Sequence, residues 1–466
     1  MYRSKEQFDL SLNGNGFLSS HMFERGFKRL WDNVPSKDLE ETPPPAEFYD
    51  QIQQYFYNSD EENLLNSMCE FSTYLYKNGF DDPDEFNEKG MLKMFYQLCE
   101  SLNVQISQTA FHIFSLLLSR GPKTIEGFDK TFFVDFCFRY LNDINSPLFY
   151  YALVCIIDVC GDSQEIRNEI MNRIPIDKLL FLLEQNDLAL KESAMDLGFQ
   201  YTKYDLDDYA INNLINLCEK AVYMGLECLN HSTYCIIIRL LRNYENFTSK
   251  LFNPIFINNN QKLLESNSPY EILPGLLFVS YAFEMKIDYN SGEDLNRIVE
   301  ILSDPPDNNC QKQACLTLIK IVFRAPEKIE HLVRYGIFGQ IGFALDHAKF
   351  SDKILIGKLA CMIIKFGGPY AKMRVFQTKC INLFLIFFDY EEDELTYSSL
   401  EAINDIFNAT SNEIRFEKLL KRFVSKGGYE FIQEFMESDN INIKEIACHI
   451  YNEYLEDYNF NQEEED

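Results

Sequence analysis

The chain has 466 residues, a formal net charge of −29, 46% hydrophobic and 25% charged residues, and only 20 glycines and 15 prolines. This composition excludes the disordered, collagen-like and disulfide-dense secreted classes, and the longest apolar runs, Leu276 to Phe283 and Cys380 to Phe388, fall well short of the roughly 18 residues that a membrane span needs. An acidic excess of this size also opposes binding to nucleic acid or to an anionic membrane surface.

Residues 1–47 read as an N-terminal arm. The opening MYRSKEQFDLSLNG lacks the apolar centre of a secretory signal, so the chain is expected to be intracellular, cytoplasmic with the nucleus as the alternative. Asn-Gly-Asn-Gly at 13–16 is turn-forming, and Pro43, Pro44 and Pro45 stop any helix. Between them, Phe23, Phe27, Leu30 and Trp31 are spaced i, i+4, i+7, i+8. That spacing predicts a short helix whose apolar face lies opposite Arg25, Lys28 and Arg29. Residues 1–37 carry +2 of the −29, leaving −31 on the other 429; Asp38 to Tyr76 holds nine acidic residues and no basic one. A basic amphipathic arm beside an acidic body is expected to dock, as a cap on the first repeat or a plug in a groove.

From residue 48 a pattern recurs. Glu100 to Leu117, Glu184 to Tyr201 and Glu437 to Tyr454 each begin with a polar turn, then place an apolar residue four before an alanine and others one, four and seven after it. The copies read Ile106, Ala110, Phe111, Phe114, Leu117; Leu190, Ala194, Met195, Gly198, Tyr201; and Ile443, Ala447, Cys448, Tyr451, Tyr454. Such spacing is one helix stripe. The same frame can be laid with its zero position at Cys69, Ala152, Cys228, Gly275, Ala314, Ala360 and Ser399. From Cys69 to Ala447 is 378 positions in nine steps, a mean of 42, within the period of about 40 to 47 seen in stacked helical repeats. Gly90, Gly336 and Gly427 each open an apolar helix before such a turn, and Glu265 to Pro269 and Ser303 to Asn309 read as loops between helices. Three of the 13 cysteines, Cys315, Cys361 and Cys448, follow the zero position directly and are expected to be reduced core thiols.

Over residues 48–456 this grammar resembles the armadillo-repeat family. The resemblance implies an all-α fold, a right-handed α-solenoid or superhelix of about ten armadillo-like repeats; the acidic run that closes residues 457–466 reads as a disordered tail. The resemblance also implies that the residues two and six places after the zero position face a concave groove that holds extended peptides. On this frame the groove candidates are Asp158, Asp196, Gln200, Asn230, Tyr234, Lys320, Phe366, Glu401, Asp405, His449 and Glu453, polar or acidic at the two ends and greasier in the middle. Relatives that carry nuclear-import cargo have ladders of tryptophan and asparagine there, and both ladders are missing. The leading expectation is a monomeric, non-enzymatic scaffold or adaptor for a protein partner with basic or aromatic segments. The alternatives are a diverged import adaptor of the importin-alpha type, or a regulatory subunit or exchange factor for an enzyme.

No phosphate-binding loop, nucleophile elbow, zinc-protease helix or paired zinc cysteines occur. Neither an enzymatic activity nor a cofactor is therefore expected. Cys228-x2-His231-x3-Cys235 puts three soft ligands on one helical face, but with no fourth ligand near it the triplet reads as a core stripe and no metal is assigned.

Overall fold

The computed structural model describes residues 45–456 apart from 79–82, 121–127, 288, 290–291, 379 and 415. The arm residues Phe23, Phe27, Leu30 and Trp31 and the acidic tail lie outside the described residues. Every regular element among those described is helical. The chain forms two compact units, the first ending at Leu217 and the second beginning at Cys218.

The first unit contains α1 (Pro45–Tyr57), α2 (Glu61–Asn78), α3 (Pro83–Glu88), α4 (Met91–Cys99), α5 (Val104–Arg120), α6 (Lys130–Phe138), α7 (Phe149–Cys160), α8 (Gln164–Arg173), α9 (Ile176–Glu184) and α10 (Leu188–Tyr201); the division falls within α11 (Asp208–Tyr223). The alanine stripe lies on α5, α7 and α10, which pack side by side with α2, while α4, α6 and α9 pack against them as a second row. Rings join these rows from one repeat to the next. Tyr49 meets Phe71 at 5.4 Å, Phe71 meets Phe95 at 6.2 Å, Phe95 meets Phe114 at 6.1 Å and Phe114 meets Phe133 at 5.1 Å. All five are buried, so the abundant aromatics here fill core, each contributing roughly 1.5–3 kcal/mol of burial.

The second unit continues with α12 (Glu227–Asn243), α13 (Thr248–Leu251), α14 (Pro254–Glu265), α15 (Pro269–Glu284), α16 (Gly292–Ser303), α17 (Asn308–Arg324), α18 (Ile329–Tyr335), α19 (Ile337–His347), α20 (Phe350–Phe366), α21 (Gly368–Thr378), α22 (Asn382–Ile386), α23 (Asp393–Thr410), α24 (Phe416–Val424), α25 (Gly428–Met436) and α26 (Ile441–Ile450). Here the inner row is α12, α15, α17, α20, α23 and α26, each packed on the next.

Local chemistry sets these boundaries. The polar turns of the sequence pattern are helix caps: Asp187 accepts from the Ala189 amide at 2.7 Å, Asp307 from Cys310 at 2.7 Å and Asn440 from Asn442 at 3.1 Å, each worth about 1 kcal/mol. Gly90, Gly336 and Gly427 all take left-handed φ values of 63°, 97° and 86°, a corner that other residues adopt only with strain. At the zero positions Ala110, Ala152, Ala194, Ala314, Ala360, Ser399 and Ala447 have no exposed area, because neighbouring inner helices approach there too closely for a larger side chain.

Two placements of the frame are displaced. Around Cys69, which is half-buried, Phe71 and Leu75 are core, so the stripe there begins one or two places earlier. In α12 the zero position is Thr233 and not Cys228. Leu229, Tyr234, Ile237 and Leu240, at −4, +1, +4 and +7 from Thr233, are all buried. Bonds between inner helices fix the same register. Gln108, two before Ala110, donates to the carbonyl of Pro147, five before Ala152; His231, two before Thr233, bonds through Nδ1 to that of Tyr270, five before Gly275. Thr233 takes the alanine's place because its hydroxyl donates back to Leu229 O at 2.7 Å, leaving no unsatisfied polar atom in the contact.

Candidate functional site

In the first unit the face beyond the alanine stripe gathers groups from three consecutive inner helices. Ser115 on α5 donates to the Asp158 carboxylate on α7 at 2.6 Å. Asp196 and Gln200 on α10 are buried, 6% and 8% exposed. Lys203, just after α10, and Gln200 close over Gly161: a Cβ there would stand 2.0 Å from Lys203 Nζ and 2.6 Å from Gln200 Oε1, so any larger residue would have to displace the ends of those two flexible side chains. Asp162 pairs with Lys130 at 2.8 Å. Desolvation pushes the Asp158 pKa up to about 7; Asp162 and Asp196 push the same way, while Ser115 and Lys203 oppose the shift. A carboxyl raised in the folded state adds stability at low pH that is lost as the pH climbs through about 7. His112, also on this face, is buried without a charged neighbour, and desolvation lowers its pKa to about 4.

The second unit presents a different surface. Lys320 Nζ lies 2.5 Å from Glu284 and 5.5 Å from the ring centre of Tyr281. Phe366, 37% exposed, meets Phe323, 41% exposed, edge to face at 5.9 Å. Lys365 pairs with Glu401 at 3.2 Å and Lys372 with Asp405 at 2.9 Å. The expected acidic end is therefore largely neutralised by lysines from the preceding repeat. Such half-exposed pairs stabilise little, about 0–1 kcal/mol each, and an incoming charged group can replace one partner. His449 on α26 and Glu453 on the π-helical continuation Tyr451–Leu455 are exposed.

Asn230 and Tyr234, which the sequence put on the groove, are placed elsewhere by the corrected register. Tyr234 is fully buried and donates to Phe256 O at 2.5 Å. Asn230 accepts from Asn259 at 3.2 Å and donates to Glu271 at 3.4 Å. Cys235 and Arg239 stand at positions two and six from Thr233.

Sequence reasoning passed over Ser115, Lys203, Glu284, Phe323, Lys365 and Lys372. One signal was present: Lys320–Glu284, Lys358–Glu394 and Lys365–Glu401 are each 36 positions apart, a lysine and a glutamate recurring with nearly the repeat period. Among the described residues no group of three or more His, Cys, Asp or Glu side chains is placed to hold a metal ion. In the Cys228, His231, Cys235 triplet the histidine has a structural bond instead. Pro274 inside α15 has no N–H for the carbonyl of Tyr270 four residues earlier, and His231 Nδ1 meets that carbonyl at 2.7 Å.

No family model matches the chain, and no curated protein matches it. Among solved structures it is similar to the crystal structure of an engineered protein, with a TM-score of 0.61 at 14% identity over 87% of this chain and 98% of that one. It is also similar to a structure from a study of a phosphorylation switch controlling the interaction between cadherin and beta-catenin, with a TM-score of 0.50 at 12% identity, covering 86% of this chain and 78% of that one. The chain is an α-solenoid of helical repeats. At these identities the likeness is one of fold alone. No helix among the described residues is long and apolar enough to cross a membrane.

Proposed function

We propose that the protein is a non-enzymatic interaction scaffold of the armadillo type, which holds an extended segment of a protein partner against the inner helices. The observation that supports this reading is that Asp158, Asp196 and Gln200 in one unit, and Lys320, Phe366, Glu401 and Asp405 in the other, all stand two or six positions after the small buried residue of successive inner helices. The likeness in fold to the structure from the cadherin and beta-catenin study supports a helical-repeat scaffold. An acidic row suits basic partner residues; exposed rings flanked by exchangeable ion pairs suit aromatic ones. The −29 charge raises the encounter rate with basic segments.

The test is site-directed photocrosslinking in cells. A crosslinking residue at Phe323 or Phe366 is expected to trap a partner in common, and one at the exposed Tyr57 or Tyr223 is expected not to. Partner yield equal at all four positions would exclude the inner-helix face as the binding surface.

A further inference from the structure

Charge is not spread evenly along this acidic chain. Residues 311–380, which run from α17 to α21, hold twelve Lys or Arg and four Asp or Glu, a net +8 that leaves −37 on the other 396. Three cations of this stretch are committed to carboxylates on the adjoining helices: Lys320 pairs with Glu284, Lys365 with Glu401 and Lys372 with Asp405. Arg324, the last residue of α17, is different. It is exposed and has no ion-pair partner among the described residues, and its guanidinium carbon stands 5.4 Å from the centre of the Phe323 ring. A guanidinium laid over a ring uses its face, and the N–H donors, which lie in its plane, stay open at the edge. Phe323 in turn meets Phe366 of α20 at 5.9 Å, and both rings are more than a third exposed. Two neighbouring inner helices thus offer one apolar surface with an uncommitted positive charge beside it.

We propose that Phe323, Arg324 and Phe366 form a subsite for an acidic side chain that directly adjoins an aromatic one in the bound segment. This unit then selects a charge of the sign opposite to the one that the net −29 favours. The proposal rests on the scaffold reading above and adds an anion to the segment that the scaffold holds. The aromatic residue packs on Phe323 and Phe366 edge to face or offset, as those two rings already pack on each other. Its acidic neighbour then lies at the edge of the Arg324 guanidinium, where two oxygens of one group can accept two parallel N–H bonds. A carboxylate and a phosphate both have that geometry. The rings keep water from one side of the pair, which strengthens the attraction beyond that of a fully solvated pair. A basic residue in the same place would meet Arg324 and Lys365 with like charge, so the subsite also rejects the wrong sign.

The probes are fluorescein-labelled, amidated pentapeptides in which phenylalanine alternates with glutamate, with glutamine or with phosphoserine, titrated into the full-length chain by anisotropy at about 0.15 M salt. The acidic molecule as a whole repels the glutamate and phosphoserine peptides, so a preference for them can arise only locally. The glutamate peptide should bind about fivefold tighter than the glutamine peptide, the worth of one exposed ion pair. Arg324→Gln should abolish that preference without moving the melting temperature, since Arg324 is exposed. Arg334→Gln removes an exposed arginine already paired with Glu330 and should leave the preference intact, while Phe366→Ala should weaken both peptides alike. Tighter binding of the phosphoserine peptide than of the glutamate peptide would assign the anion as a phosphate group, and binding no tighter would assign it as a carboxylate. Equal affinity for the glutamate and glutamine peptides, or a preference that survives Arg324→Gln, would overturn the subsite. Partner capture at Phe323 and Phe366 in cells does not depend on the sign of charge selected there. Capture without any acid preference would keep the scaffold reading and sink this one, whereas equal capture at all four crosslinking positions would sink the reading on which both stand.

Discussion

Thr233 shows how a single residue can hide a register. In the other inner helices an alanine, serine or glycine marks the close contact, and a search for small side chains in α12 settles on Cys228, five places too early. A threonine fits because its hydroxyl is consumed within its own helix turn, a fact of hydrogen bonding that no hydropathy pattern carries. The consequence is local: Asn230 and Tyr234 drop out of the candidate row, and Asp158, Asp196, Gln200, Phe366 and Glu401, framed by unambiguous neighbours, remain on it. The cysteines carry the same lesson. Cys315 and Cys361 are buried, and desolvation pushes the Cys315 thiol well up and that of Cys361 up to about 12. Cys448, assigned the same place in the repeat, is half-buried, because among the described residues no further repeat stacks on α26. With a maleimide reagent at neutral pH, Cys448 should label at least tenfold faster than Cys315 or Cys361, since the thiolate is the reactive species. Peptide mass mapping of the native protein checks this, and early labelling of Cys315 would refute its burial.

At the scale of elements, caps, glycine corners and the alanine stripe were all legible, being local and repeated. The pairing of Pro274 with His231 was not, because it joins a missing donor in one inner helix, α15, to a ring in the preceding inner helix, α12. The structure makes it measurable. His231→Ala leaves the Tyr270 carbonyl without its partner inside the core and should cost about 1–3 kcal/mol. In a Pro274→Ala background the restored N–H can take that carbonyl, and the same histidine substitution should cost markedly less. Chemical denaturation of the four proteins gives the coupling energy. A value near zero would mean that the histidine bond and the proline are unrelated.

For the whole molecule, the repeat array divides into two cores. Nearest-neighbour stacking makes stability a sum over repeats, so units that differ in sequence need not melt together. We expect urea to expose Cys155 and Cys160 of the first unit and Cys315 and Cys361 of the second at different concentrations, read by pulsed thiol labelling. Coincident midpoints for all four would show one cooperative block. The run of rings from Tyr49 through Phe71, Phe95 and Phe114 to Phe133 has a further consequence during synthesis. Each ring leaving the ribosome finds its next partner only tens of residues later: Phe71 awaits Phe95, and Phe114 awaits Phe133. Over residues 49–133 the growing chain therefore presents an aromatic face at its newest repeat. A pause in translation between repeats would hold that face open to chaperones, or to a second nascent chain on the same message.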